Sequence, residues 1–301
     1  LFFAEKQPID FLTERYTNQP HPYYYGFLIG LLQAQWTYTG YDASAHVSEE
    51  TTDPTRNAPW GIMLAVIVSG VAGYIMLLAA TLAIKDLNAV AAAGDRAFIV
   101  LMTQALGGGM GRVLVGIAIA AMWFCGLGSV TSNSRMLFAF ARDGGLPASR
   151  LLARVSEKRR SPHIAVWVSV GMAFLIGLGA NVLSAMTALS TLALYASYAL
   201  PIAVGLWARR SGKWKRRGPW DLGRWSSLVN VIALIWVAVI TVLFVLPPHH
   251  EKVGYPFAAC IIVLAAYWLL YMRKRFKGPP GATASPPPVA GQSPTPPTVV
   301  A

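Results

Sequence analysis

Charge is what this sequence has least of. Of 301 residues, 25 are Lys or Arg and 13 are Asp or Glu, so 13% are charged while 55% are apolar. An ordinary soluble domain carries about twice that charged share, and the shortage argues against a water-soluble globule. Cysteine is nearly missing. Cys125 and Cys260 lie far apart, both inside apolar runs, and read as small core residues rather than as a disulfide or a metal site. No Cys/His cluster has zinc spacing, and no Gly-rich phosphate loop follows a strand. No metal, no cofactor and no enzymatic activity are expected: Asp42 and His46 could form an acid–base pair, but no second acid, nucleophile dyad or metal set accompanies them on another helix.

What the chain does have is charge-free length. A helix needs roughly 20 mostly apolar residues to cross a bilayer core about 30 Å thick. Residues 60–84, 113–134, 226–246 and 255–272 contain no Asp, Glu, Lys or Arg. Residues 164–208 are also charge-free; as one helix they would reach about 67 Å, roughly twice the core thickness. They are read as two spans that turn near Gly177, Gly179 and Asn181. With a first span from Tyr23, the expectation is an all-α polytopic bundle of about seven transmembrane helices, over 23–47, 60–84, 113–135, 164–180, 183–208, 226–246 and 255–272. Membrane lipid is then the surrounding partner, and nucleic-acid binding is excluded as the reason for a net charge of +12.

The basic residues fall in three places: six from Arg142 to His163, seven from Arg209 to Arg224 and four from Arg273 to Lys277. The positive-inside rule makes these cytoplasmic. Alternation places residues 1–22, the loop from Lys85 to Arg112 and the turn from Pro247 to Gly254 outside. The loop from Val47 to Pro59 falls inside although Glu49, Glu50 and Asp53 outnumber Arg56, because acids weigh little in the rule. The last 24 residues hold eight prolines and no charge and are expected to form a disordered cytoplasmic tail over 278–301. An outside N-terminus with no basic start and no apolar export signal fits a C-terminal piece of a longer protein; a processed or translocated N-tail is the alternative.

The stretch from Gln33 to Glu50 carries the most chemistry. A lipid-compatible helix is followed by Gly40, Tyr41, Asp42, Ser44 and His46 before the membrane should have ended. An acid at that depth costs about 2.5–3.5 kcal/mol on insertion scales and faces protein or water. Gly40 weakens a helix by about 1 kcal/mol relative to Ala, and Asp42 or Ser44 can cap a new one. The pattern describes a helix that breaks and restarts, the geometry with which discontinuous helices hold ions and substrates; an unbroken helix that ends early, with Asp42 in interfacial water, is the plainer alternative. His46 lies about one turn beyond Asp42, where the two could share a proton or fix each other's orientation. A second candidate is the small, polar stripe of Cys125, Gly128, Ser129, Ser132 and Asn133, which serves either close helix packing or a pathway lining. A third is Pro201, which removes the hydrogen bond to the Ser197 carbonyl and should kink its helix beside Tyr195 and Tyr198.

Two motifs carry a resemblance. Thr39-Gly-Tyr-Asp-Ala-Ser-Ala-His-Val-Ser-Glu-Glu50, followed by Pro54, Arg56, Pro59 and Gly61, resembles the sixth helix and following loop of permeases in the amino acid–polyamine–organocation superfamily. Ser132-Asn-Ser-Arg135-Met-Leu-Phe-Ala-Phe-Ala-Arg142-Asp143-Gly144-Gly-Leu-Pro147, with Pro162 opening the next span, resembles the eighth helix and its cytoplasmic exit. The form of the first motif is most similar to the branch of amino acid, GABA and choline permeases. The resemblance implies the second half of a LeuT-like inverted-repeat transporter, the sixth to twelfth helices. It implies an unwound segment from Tyr38 through Thr39, Gly40, Tyr41 and Asp42 to Ala43 whose backbone helps hold the substrate. Trp36 would cover the occupied site, and Asp42 would gate or couple transport. Neighbouring walls would come from the spans containing Ser129 and Tyr195. The implied substrate is an amino acid, GABA, choline or a polyamine, with a proton as coupling ion, and the missing N-terminal half of the same protein as partner. Seven spans with an outside N-terminus would also describe a ligand-sensing membrane receptor.

Overall fold

A computed structural model of the chain describes residues 6–15, 22–179, 183–214, 218–246 and 253–276. Among these residues there are ten α-helices and no strand. They are α1 (Tyr23–Thr37), α2 (Ala43–His46), α3 (Pro54–Leu82), α4 (Leu87–Ala92), α5 (Ala97–Arg142), α6 (Ser149–Leu152), α7 (His163–Gly177), α8 (Leu183–Arg210), α9 (Ser226–Val245) and α10 (Tyr255–Leu270). The expected tail over 278–301 and the Asn181 part of the expected turn lie outside the described residues; α7 ends at Gly177 and α8 begins at Leu183.

Helices α3, α5, α8, α9 and α10 are long and apolar enough to cross a membrane. Helices α1 and α7 have 15 residues each, about 22 Å at the usual rise, so α1 crosses a bilayer core only together with the segment that follows it. The fold is thus an all-α transmembrane bundle.

Several boundaries depart from the sequence expectation for local reasons. Helix α3 starts six residues early, at Pro54, because proline fits the first helical position and the preceding turn is tied: the Asn57 side-chain amide donates to the Thr52 carbonyl at 2.6 Å, and the Thr55 hydroxyl to Asp53 at 2.8 Å. The expected outer loop from Lys85 to Arg112 is mostly helical. Asp86 caps α4 by accepting the Ala89 N–H at 3.0 Å. The first ten residues of α5 precede a sharp break at Gly107 (φ 75°, ψ 167°), a conformation essentially reserved for glycine. Gly111 then lets the two arms close up, since a Cβ there would lie 3.1 Å from the Met102 carbonyl oxygen.

The helices pack in two groups. Helix α5 contacts α2, α4, α6 and α7; α8 contacts α9, α10 and α1, and α1 also contacts α9. The second group holds the best-buried apolar cluster, Leu32, Leu192, Ile240, Leu243, Phe244 and Val253. In lipid, such contacts gain from dispersion and close approach rather than from escape from water. The first group is joined by polar contacts: the Asn133 side-chain amide donates to the Ser169 hydroxyl at 3.1 Å, beside fully buried Ser134 and Ala165. The lower part of the small stripe on α5 is therefore a packing face against α7, while Cys125, Gly128 and Ser129 are exposed. Cys125 and Cys260, expected as core residues, are both exposed. Many large side chains of α3, α5, α9 and α10 also face outward, among them Ile67, Trp123, Val239 and Ile262.

Candidate functional site

The chain between Tyr23 and His46 is one helix broken in two. Helix α1 stops at Thr37, and its end is closed by the Tyr38 N–H on the carbonyls of Ala34 and Gln35 and by the Thr39 hydroxyl on the Trp36 carbonyl at 2.8 Å. Gly40 follows at φ +81°, a left-handed conformation in which side-chain-bearing residues are strained. Helix α2 resumes at Ala43 for a single turn. The reading of a break and restart describes the backbone, and the unbroken alternative does not.

Helix α3 receives the break in two notches. A Cβ on Gly61 would sit 2.7 Å from Ser44 Oγ, and a Cβ on Gly70 would sit 2.8 Å from the Tyr38 hydroxyl oxygen. Glycine at both positions lets Ser44 and Tyr38 lie directly on the α3 backbone. From the other side comes α8. Tyr198 donates its hydroxyl proton to Asp42 Oδ1 at 2.8 Å, and the Tyr198 hydroxyl oxygen accepts the Gly40 N–H at 3.3 Å. Its ring lies 4.8 Å from that of Tyr41 and 6.0 Å from that of Tyr195. Buried Tyr195 donates to the Gln35 carbonyl at 3.4 Å, and Trp236 of α9 donates its indole N–H to Gln35 Oε1 at 3.2 Å. Helices α1, α8 and α9 are thereby pinned at the level of the break.

Asp42 is the centre of this arrangement. Oδ1 takes the Tyr198 hydroxyl, and Oδ2 lies 2.9 Å from His46 Nε2. When Asp42 is ionised the contact holds the imidazole proton on Nε2. Both side chains are about three-quarters buried, with 24% and 28% of their surface exposed. The pair can store a proton, orient the two groups, or couple a charge change at Asp42 to the Gly40 backbone through the Tyr198 hydroxyl.

Two cavities meet the broken element at opposite ends. One of about 550 Å³ lies between α1, α8 and α9 and is lined by Leu32, Gln33, Trp36, Thr191 and Phe244. The other, about 650 Å³, is lined by His46, Glu50, Arg135, Phe138 and Arg160. Beside the latter, two ion pairs join the segment after α2 to the C-terminal part of α5. Arg135 grips Glu50 in a two-pronged contact, Nε–Oε1 2.7 Å and Nη2–Oε2 3.0 Å, and Arg142 holds both Glu49 oxygens at 3.1 Å. The Arg135 hydrogen bond holds the Glu50 carboxyl below its ordinary value. These pairs account for the acidic loop lying among basic ones.

The structure brings Tyr38, Gly40, Tyr41, Asp42, His46 and Tyr195 together. Thr39 turns its hydroxyl back onto α1, and Trp36 and Ala43 are exposed at the edges of the break. Ser129 is exposed, with its hydroxyl on the Cys125 carbonyl of its own helix at 3.0 Å. Sequence reasoning did not pick Tyr198, Gln35 or Trp236 as site residues. For Tyr198 a signal exists: it stands three residues after Tyr195, on the same face of a helix.

A helix broken at a polar centre inside an all-α transmembrane bundle is an arrangement that secondary transporters use to hold ions and substrates. The sequence pattern of the amino acid permease family matches residues 3–267, and the chain belongs to that family. It is 40% identical over 279 residues to the amino-acid permease BAT1 homolog of Oryza sativa subsp. japonica, covering 86% of this chain and 53% of the rice protein. It is 36% identical over 277 residues to amino-acid permease BAT1 of Arabidopsis thaliana, covering 85% and 53%. A choline transporter of Saccharomyces cerevisiae is 30% identical over 265 residues, covering 83% and 46%. The chain spans about half the length of the curated relatives it matches. Membership in this family takes away the support for the receptor alternative.

Proposed function

We propose that the chain is the C-terminal half of a proton-coupled secondary transporter that moves amino acids or related amines across the cell membrane by alternating access. The observation that carries this is the helix break at 38–42, seated in α3 and bonded to Tyr198, with a cavity at either end of the broken element. In this reading Trp36 and the backbone from Tyr38 to Ala43 face the substrate, with Tyr195 behind them. Asp42 and His46 exchange the coupling proton, and Tyr198 passes the change to Gly40. The first repeat of the inverted-repeat fold supplies the opposite wall, and Ser129 faces that half. The basic loops lie in the cytoplasm, as the positive-inside rule requires. The relatives, amino-acid permeases and a choline transporter, set the substrate range to be tried.

The test is uptake of radiolabelled amino acids, GABA, choline and polyamines into proteoliposomes, comparing this chain with a protein extended through its upstream coding sequence. Saturable uptake by the extended protein alone is expected; robust uptake by both would overturn the requirement for a second half. In the extended protein, Asp42→Asn should lower transport or flatten its pH dependence with little effect on expression. Unchanged uptake at every pH would remove Asp42 from the mechanism.

A further inference from the structure

Tryptophan gathers at one place that the transport reading does not use. Five of the ten tryptophans, Trp60 near the start of α3, Trp207 in the last turn of α8 and Trp214, Trp220 and Trp225 between α8 and α9, are all exposed by at least 37%. The fold builds this surface deliberately. Helix α8 ends at Arg210, and at Gly212 (φ +69°) the chain doubles back so that the N–H groups of Lys213 and Trp214 both bond the Ala208 carbonyl, at 2.9 and 3.1 Å. The reversal lays Lys213 Nζ over the Trp207 ring at 4.4 Å and brings Trp214 under the Arg209 guanidinium at 5.0 Å. Trp214 fits against Gly205, where a Cβ would stand 3.2 Å from the ring. Arg209 also donates to the Ser226 hydroxyl at the start of α9, Arg224 lies 5.5 Å over Trp225, and Trp220 meets Trp60 edge-on at 5.0 Å.

The result is a surface of indole rings and cations; among the described residues from Arg209 to Arg224 the cations are Arg209, Arg210, Lys213 and Arg224 and the carboxylate is Asp221. It stands where three apolar helices begin or end, at the depth where indoles settle beside headgroups. Guanidinium and ammonium groups are suited to phosphate oxygens, and each basic residue near an anionic leaflet adds to the attraction. We propose that this surface, formed by the described residues at the end of α8 and the start of α9 together with Trp60, is a binding site for the headgroups of anionic phospholipids in the leaflet next to the basic loops.

Tryptophan quenching tests this on the whole chain in mixed micelles. Brominated phosphatidylglycerol should quench at about 10-fold lower mole fraction than brominated phosphatidylcholine. The triple variant Arg210→Gln, Lys213→Gln, Arg224→Gln should lose that preference. The charge-keeping set Arg210→Lys, Lys213→Arg, Arg224→Lys should retain it, as should Arg150→Gln, Arg154→Gln, Arg159→Gln in the neighbouring basic loop. Preference that survives the neutralised patch, or falls equally in the neighbouring-loop variant, would overturn the site. So would displacement by millimolar glycerol 3-phosphate, which would assign the surface to soluble phosphates.

Discussion

Tyr198 connects three things that no other described side chain connects: the Gly40 N–H, the Asp42 carboxylate and the Tyr41 ring. Tyr198→Phe keeps the ring stack and removes both hydrogen bonds. A lost bond to a carboxylate is worth about 1.5–3 kcal/mol, so the thermal midpoint of the chain in detergent should fall, and an unchanged midpoint would show that the ring alone holds the break. Arg135 acts differently. Its partner Glu50 is 60% exposed, so the pair contributes only about 0–1 kcal/mol. Glu50 has a folded-state pKa below its ordinary value of 4.5. The contribution is therefore complete above that ordinary value and is lost as pH falls through the lowered one. Arg135→Gln should lower the midpoint modestly at pH 7, and the difference from the unaltered chain should shrink as pH drops below about 4.5. A difference that grows on acidification would contradict the assignment.

At the scale of elements, the broken helix depends on what α3 does not carry. A methyl group at Gly61 would meet both Oγ (2.7 Å) and Cβ (3.0 Å) of Ser44 and push α2 away. Gly61→Ala should cost about 1–3 kcal/mol, whereas Gly30→Ala on α1, with nothing within 4 Å of its Cβ, should be neutral or gain up to about 1 kcal/mol. Chemical denaturation of the two variants side by side distinguishes a seated α2 from a loose one. The break was legible because Gly40, Tyr41, Asp42 and Ser44 are all poor continuations of a membrane helix. Its seat was not: Gly61 stands only as part of a motif, and Gly70 reads as an ordinary membrane-helix glycine, until the positions of Ser44 and Tyr38 are known. The hairpin at Gly107 was hidden for a related reason, since three adjacent glycines signal a loop, and only the contact of Gly111 with Met102 shows two helical arms closing on each other.

Across the whole molecule, contacts sort the connections into two ends. Glu49 and Glu50 reach Arg142 and Arg135, Trp60 reaches Trp220, and Phe140 reaches Phe276, so four connections share the basic end. Gln7 bonds the carbonyls of Leu82 and Ile84, so the N-terminal segment lies with the end of α3 at the opposite end. With Cys125 and Cys260 replaced by alanine, a cysteine at Ala91 should react with a membrane-impermeant thiol reagent in intact cells, and one at Ser156 only after permeabilisation. Labelling of both in intact cells would break this topology. The sequence by itself determined the membrane class, the helical character and the place of the break, because charge-free length and helix propensity are local properties. Only the tertiary structure decided that Tyr198 reaches Asp42, that Gln35 is shared by Tyr195 and Trp236, and that the acidic loop pairs with α5. Partners 85 to 201 residues apart in sequence are set by how helices cross, and no periodicity along one helix records that crossing.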